Sequence, residues 1–128
     1  MKTRRQVRGA AAEARAAAFL EGLGWRLLAR NVKVGAHDEI DIVALDPGPP
    51  PELVCVEVRS ARSLEFGSPE ERIDSRKVGH LYRAMGGLDI ATRALDTDAR
   101  LPRRVDLIVV DLRGPKPSIR HLRRLEPA

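Results

Sequence analysis

Two short apolar runs carry acid where a core tolerates it badly. They are His37-Asp38-Glu39-Ile40-Asp41-Ile42-Val43-Ala44-Leu45 and Glu52-Leu53-Val54-Cys55-Val56-Glu57-Val58-Arg59, joined by Asp46-Pro47-Gly48-Pro49-Pro50-Pro51. Their β-branched content, shortness and flanking breakers predict two strands, and the short turn-like link predicts neighbours in one sheet. Alternation then places Glu39 and Asp41 on one face of their strand, and Glu57 and Arg59 on one face of theirs. Burying a carboxylate without a partner is costly, so acid in mid-sheet asks for a chemical reason. Carboxylate oxygens are hard ligands, and Mg²⁺ is usually held by one or two of them together with water and substrate phosphates. Asp41 and Glu57 on adjacent strands are placed to share such an ion, with the carbonyl of Val58 as a further ligand. A metal so placed would lower the pKa of a bound water and stabilise charge developing on a phosphoryl group. Arg59, two residues after the acid, would orient that water or the phosphate. The plainer reading of an acid and an arginine two apart on a strand is an ion pair.

The elements that must position these groups can be read in order. Arg4 to Gly22 is predicted as a helix, rich in alanine and arginine and ended by Gly22-Leu23-Gly24. On a helical period Ala10, Glu13, Ala14, Ala17 and Leu20 form one stripe, which puts Glu13 on the apolar side as a third carboxylate. The plainer reading places Glu13 at the stripe's border, paired with a nearby arginine. Trp25 to Val34 is a third strand candidate. Ser60 to Pro69 is a polar loop, and Asp74 or Ser75 caps a helix running to about Arg93 with Val78, Leu81, Tyr82, Met85 and Leu88 on its apolar face. Gly86-Gly87 weakens or kinks it. Leu95 to Pro102 is linker, Arg104 to Leu112 an apolar strand, and Ser118 to Leu125 an edge-like last strand. Helix, three strands, helix, strand, strand is a mixed α/β sheet within one domain spanning 1–128.

The charge is unevenly spread. Residues 1–30 carry +5 and residues 113–128 carry +4, while residues 31–112 carry −4. Basic ends around an acidic centre suit a protein that attracts phosphate and holds a cation beside it, although a solvated basic surface gives the same sums. No apolar span is long enough for a transmembrane helix, and the start of the chain has no signal-peptide pattern. The one cysteine, Cys55, lies inside an apolar run and cannot form an intrachain disulfide, as expected of a reducing, cytoplasmic setting. His37, His80 and His121 are scattered without zinc spacing and read as surface or loop residues. Neither a glycine-rich phosphate loop nor a Ser-His-Asp or Cys-His arrangement is present.

Several segments together resemble a known family. Arg8-Gly9 with Glu13 in an alanine-rich helix, Gly24-Trp25 with Arg30-Asn31, Glu39-Ile40-Asp41-Ile42, Val56-Glu57-Val58-Arg59, Phe66-Gly67-Ser68-Pro69, Lys77 with Ala84, and Arg104-Val105-Asp106 are similar to the YraN family. That family is assigned to the restriction-endonuclease-like superfamily and is similar to archaeal Holliday-junction resolvases. The resemblance runs from about Arg8 to Asp111. It implies a restriction-endonuclease-like α/β core and a Mg²⁺- or Mn²⁺-dependent phosphodiesterase centre of the PD-(D/E)xK kind. On it, Asp41 is the motif's aspartate, Glu57 its second acid, Arg59 stands at its lysine position, Glu13 is the helix acid that supports the metal, and Lys77 is a basic position opening the second helix. Two positions depart from the family pattern: Asp38 replaces a glycine before Glu-Ile-Asp, and the motif lysine is Arg59. Arginine binds phosphate through its planar fork but stays protonated and cannot act as a base.

Arg4, Arg5, Arg8, Lys77 and Arg104, with Arg103, Arg120, Arg123 and Arg124, are candidates for phosphate contacts. Aromatics are 3% of the chain, which serves base stacking poorly and favours duplex or branched DNA read through backbone and shape. Resolvases of this superfamily work as two-fold dimers, so the resemblance also implies a homodimer. The leading expectation is a metal-dependent endonuclease acting on DNA. Its rivals are a nucleic-acid-binding module with little catalysis, favoured by Arg59, and a protein-interaction domain on the same scaffold.

Overall fold

The computed structural model describes residues 4–34, 38–61, 75–86 and 101–126. Helix α1 spans Arg4–Gly22, followed by strands β1 (Arg26–Val34), β2 (Asp38–Asp46) and β3 (Glu52–Ala61). Helix α2 (Ser75–Gly86) precedes β4 (Arg103–Asp111) and β5 (Ser118–Leu122). The five strands form one sheet in the order β1-β2-β3-β4-β5. Neighbours are antiparallel except β3 and β4, which run parallel with α2 in the connection between them. The predicted element order stands, with boundaries moved by one to a few residues. The Ser60–Pro69 loop beyond Ala61, Asp74, Leu88 and the rest of the helix expected to reach Arg93 lie outside the described residues.

Among the described residues, each face of the sheet carries one helix. Ala12, Ala16 and Leu20 of α1 bury against Ile42, Ala44, Val54, Val56, Ile108 and Val110. The alanines let the helix lie close to the strands, and their spacing of four keeps them on one side. This corrects the predicted stripe: Ala10 and Ala14 are exposed, and Glu13 lies half-buried at the stripe's border. The opposite face packs Val78, Leu81 and Met85 of α2 on Ile40, Val43, Leu53, Cys55 and Val105. None of the described helices is long and apolar enough to cross a membrane.

The end of α1 aims the chain into the sheet. Gly24 takes φ 88. Its N–H donates to the Glu21 carbonyl at 2.9 Å, and the Trp25 N–H donates to Leu20 at 3.0 Å. This is the paired closure that a left-handed residue after a helix makes possible, and it brings Trp25 down beside Leu20 in the core. From there β1 runs back along the edge of β2, which sets the mid-strand residues of both under Glu13.

Candidate metal centre

The β2–β3 ladder stops before the strands do. Its last pair is Ile42↔Val56. Beyond it the Asp41 carboxylate accepts the Val58 N–H through Oδ2 at 2.8 Å. A side chain thus takes over from a ladder carbonyl, and the strands part at the acids singled out in the sequence. From the α1 side Glu13 reaches the same spot. Carboxylate oxygens of Glu13, Glu39 and Asp41 all lie within 4.8 Å of one another. Like charges at that spacing repel. Of the positive groups, Arg30 on β1 stands 3.9 Å from Glu13 Oε2 with its side chain 42% exposed, a weak pairing.

Glu57 is deeply buried one residue before Val58, and its carboxylate is not among the three. It shares a strand face with Leu53 and Cys55 of the α2 layer, whereas Val54, Val56 and Val58 pack toward α1. Its Oε1 lies 3.2 Å from Arg59 Nη2. The ion pair expected from acid–x–Arg is therefore present. The structure brings Glu13 and Asp41 together as expected, and it adds Glu39, which sequence reasoning placed on the face of Asp41 but did not assign to the site. Alternation along Glu39-Ile40-Asp41 was the available signal.

The basic residues divide. Arg4, Arg5 and Arg8 lie in the first turns of α1 and Lys77 in α2, with side chains outside the described set. Arg104 is not a phosphate contact. Its side chain is 3% exposed, with Nη2 2.9 Å from Asp46 Oδ2, Nη1 3.2 Å from Glu52 Oε1 and Nε 2.9 Å from Asp106 Oδ1. Burial works against its charge, but bonds to Asp106 and Asp46 outweigh this and raise its pKa above the ordinary arginine value. Arg124 completes the lattice, with Nη2 2.7 Å from Glu52 Oε1 and its backbone N–H on Asp106 Oδ1 at 2.9 Å. His121 is not a surface residue: its Nε2 is 2.8 Å from Asp106 Oδ2, and its ring meets Phe19 and Trp25 edge-on. A pocket of about 440 Å³ opens here between Arg104, Arg123, Arg124, Asp46 and Glu52, its two acids each paired with an arginine of the wall. His80 is exposed on α2, and His37 lies outside the described residues.

A family model, "Uncharacterised protein family UPF0102", matches residues 12–110, which include every carboxylate of the candidate centre. A UPF0102 protein of Deinococcus radiodurans is 40% identical over 103 residues, 80% of this chain and 79% of its own. One of Pseudarthrobacter chlorophenolicus is 40% identical over 110 residues, 84% and 76% of the two chains. One of Bifidobacterium longum is 37% identical over 117 residues, 89% and 88%. The chain belongs to the UPF0102 family. The YraN resemblance read from the sequence is thus established, and the UPF0102 match covers β1 to β4 and most of α1, the part of the fold that builds the fork at Asp41. The five-strand mixed sheet with a helix on each face is consistent with a restriction-endonuclease-like fold.

Proposed function

We propose that this UPF0102 member is a divalent-metal-dependent endonuclease that hydrolyses phosphodiesters of DNA, duplex or branched. The observation that carries the reading is the convergence of Glu13, Glu39 and Asp41 at the point where β2 and β3 part. Oxygens within 4.8 Å of one another can close on one ion with small side-chain rotations, since Mg²⁺ takes ligands at about 2.0–2.1 Å and larger cations at about 2.3–2.6 Å. All-oxygen donors match the hard cations Mg²⁺ and Mn²⁺. Glu13, Asp41 and Glu39 would hold the cation; the resemblance to PD-(D/E)xK centres also implies Glu57 and the Val58 carbonyl as ligands, of which Glu57 lies outside the cluster of three. Such a cation supplies Lewis acidity toward a phosphodiester.

The chain's own residues do the rest. The Asp41 carboxylate is fixed by the Val58 N–H. An arginine cannot serve as a base, so Arg59 contributes charge toward a phosphate and no proton abstraction. Arg8, Arg5 and Arg4 lie five, eight and nine residues before Glu13 in α1. That is about 7–14 Å along the helix, close enough to meet phosphates flanking the cut. Lys77 in α2 is a further backbone contact.

A plasmid-nicking and four-way-junction assay with Mg²⁺ or Mn²⁺ tests the reading. The expected result is metal-dependent cleavage, lost in Asp41→Asn with DNA binding retained. Junction binding that weakens steeply with salt, with no cleavage at any metal concentration, would overturn the enzyme and leave a binding module. The Arg59–Glu57 pair at 3.2 Å is the observation favouring that second reading, because it occupies the motif cation with an internal partner.

A further inference from the structure

Asn31 stands mid-way along β1 with φ 53, a left-handed conformation that a non-glycine residue rarely adopts and that asparagine tolerates best. The strand is not broken there. Arg30 and Val32 keep their partners Ile42 and Ile40, so Asn31 is held across from Asp41. Successive side chains of a strand point to opposite faces. Yet Arg30 and Asn31, adjacent in sequence, both reach Glu13. The same slip is written in the buried layers. Ala29 and Val32, three apart, both lie with the α2 layer, while Ile40 and Ile42, two apart, lie in opposite layers. The left-handed turn at Asn31 is what delivers a second consecutive side chain to the α1 side.

That side chain meets carboxylates, so its NH₂ must face them. In that orientation the amide donates to Glu13 Oε2 and to Glu39 Oε1, each at 3.1 Å. It therefore ties an acid of α1 to an acid of β2. Glu39 is exposed and Glu13 only half-buried, so without a tie their mutual repulsion would turn both into water.

We propose that Asn31 is the positioning residue of the carboxylate centre: its amide clasps Glu13 to Glu39 so that both, with Asp41, face a divalent cation together. The inference rests on the metal reading above and deepens it. Pre-arranging the ligands removes an ordering cost that would otherwise be subtracted from cation affinity.

The test uses Asn31→Gly in the full chain. Glycine adopts φ 53 freely, so the backbone is kept and only the amide is lost. Mn²⁺ alone is titrated by calorimetry, beside a thermal melt without metal. The expected result is Mn²⁺ affinity weaker by about ten-fold, the lower end of what loss of an orienting partner costs, with the melting midpoint unchanged. Equal affinity in the two proteins would overturn the role of Asn31 and leave the metal centre standing. No Mn²⁺ binding by the unaltered chain would overturn both. If affinity and midpoint fall together, Glu39→Gln alone and combined with Asn31→Gly decides. A combined loss smaller than the product of the two supports the clasp, and a simple product overturns it.

Discussion

Three carboxylates gather at each end of the β2–β3 pair, and the fold treats them in opposite ways. At one end Asp46, Glu52 and Asp106 close around Arg104, with Arg124 and His121 on the remaining oxygens. The centre of that lattice is sealed: Arg104 is 3% and Asp106 0% exposed, and Arg104 is stacked 5.1 Å above the Trp25 ring. At the other end Glu13, Glu39 and Asp41 meet an amide, a backbone N–H and a half-exposed guanidinium at 3.9 Å. A lattice of carboxylates already paired with guanidiniums is spent on structure; it pins β5 and the segment after it to the sheet. Glu13 and Glu39 are joined at the other end by a neutral amide, which leaves their charge uncompensated by that bond. The same residue types thus do structural work at one end and, in the function proposed above, hold a cation at the other.

The sharpest way to break this contrast is to remove Arg104. Arg104→Ala leaves the buried Asp106 without a guanidinium and Glu52 with Arg124 alone, and the expected loss is about 3–5 kcal/mol in urea unfolding. A loss as small as that of a surface arginine would mean that the lattice is not structural.

Acid should attack the same end. The hydrogen bond from Arg124 holds Glu52 below the usual carboxylate range. Burial pushes Asp106 up, but His121, Arg104 and the Arg124 N–H outweigh it and lower it. Groups with depressed folded pKa contribute stability that is fully present above their unfolded values of about 4 and is lost as pH falls through the folded ones. Melting midpoints should hold down to about pH 4–5 and fall below it. A midpoint that rose on acidification would contradict the lattice.

The open end should behave in reverse. Asp41→Asn keeps an oxygen for the Val58 N–H, so stability should shift by less than about 1 kcal/mol. Cleavage should nevertheless fall by about 100-fold or more, the scale of several kcal/mol of lost transition-state stabilisation. Smallest of all, Glu13→Gln relieves repulsion at a partly exposed site and should leave the unfolding free energy level or raise it by about 0.5 kcal/mol. A marked loss there would show that Glu13 is structural.

Much of this was legible in the chain. Acid within Glu39-Ile40-Asp41 and Val56-Glu57-Val58-Arg59 marked the strands and the centre, because apolar β-branched runs and misplaced charge are local signals. The face of α1 was not legible, since alanine at positions 10, 11, 12, 14, 16, 17 and 18 gives every side the same hydrophobicity. Glu13 reads as a border residue whichever side is buried. Arg104 looked like one more surface cation because two of its three partners lie on β2 and β3, more than fifty residues earlier. The Arg104-Val105-Asp106 spacing, which puts both charges on one face, was the only local hint. His121 depends in the same way on Asp106 across the β4–β5 pair. Asn31 was hidden for a different reason: its effect comes from a backbone angle, and only its low strand preference within an apolar strand betrays it.

The central claim is that a divalent cation seats between α1 and the fork of β2 and β3. A crystal soaked in Mn²⁺ and measured at the manganese edge tests it most directly. The expected result is an anomalous peak in contact with carboxylate oxygens of Asp41 and Glu13, absent from crystals of Asp41→Asn. No peak there at saturating Mn²⁺, or one confined to the Asp46–Glu52 end, would contradict it.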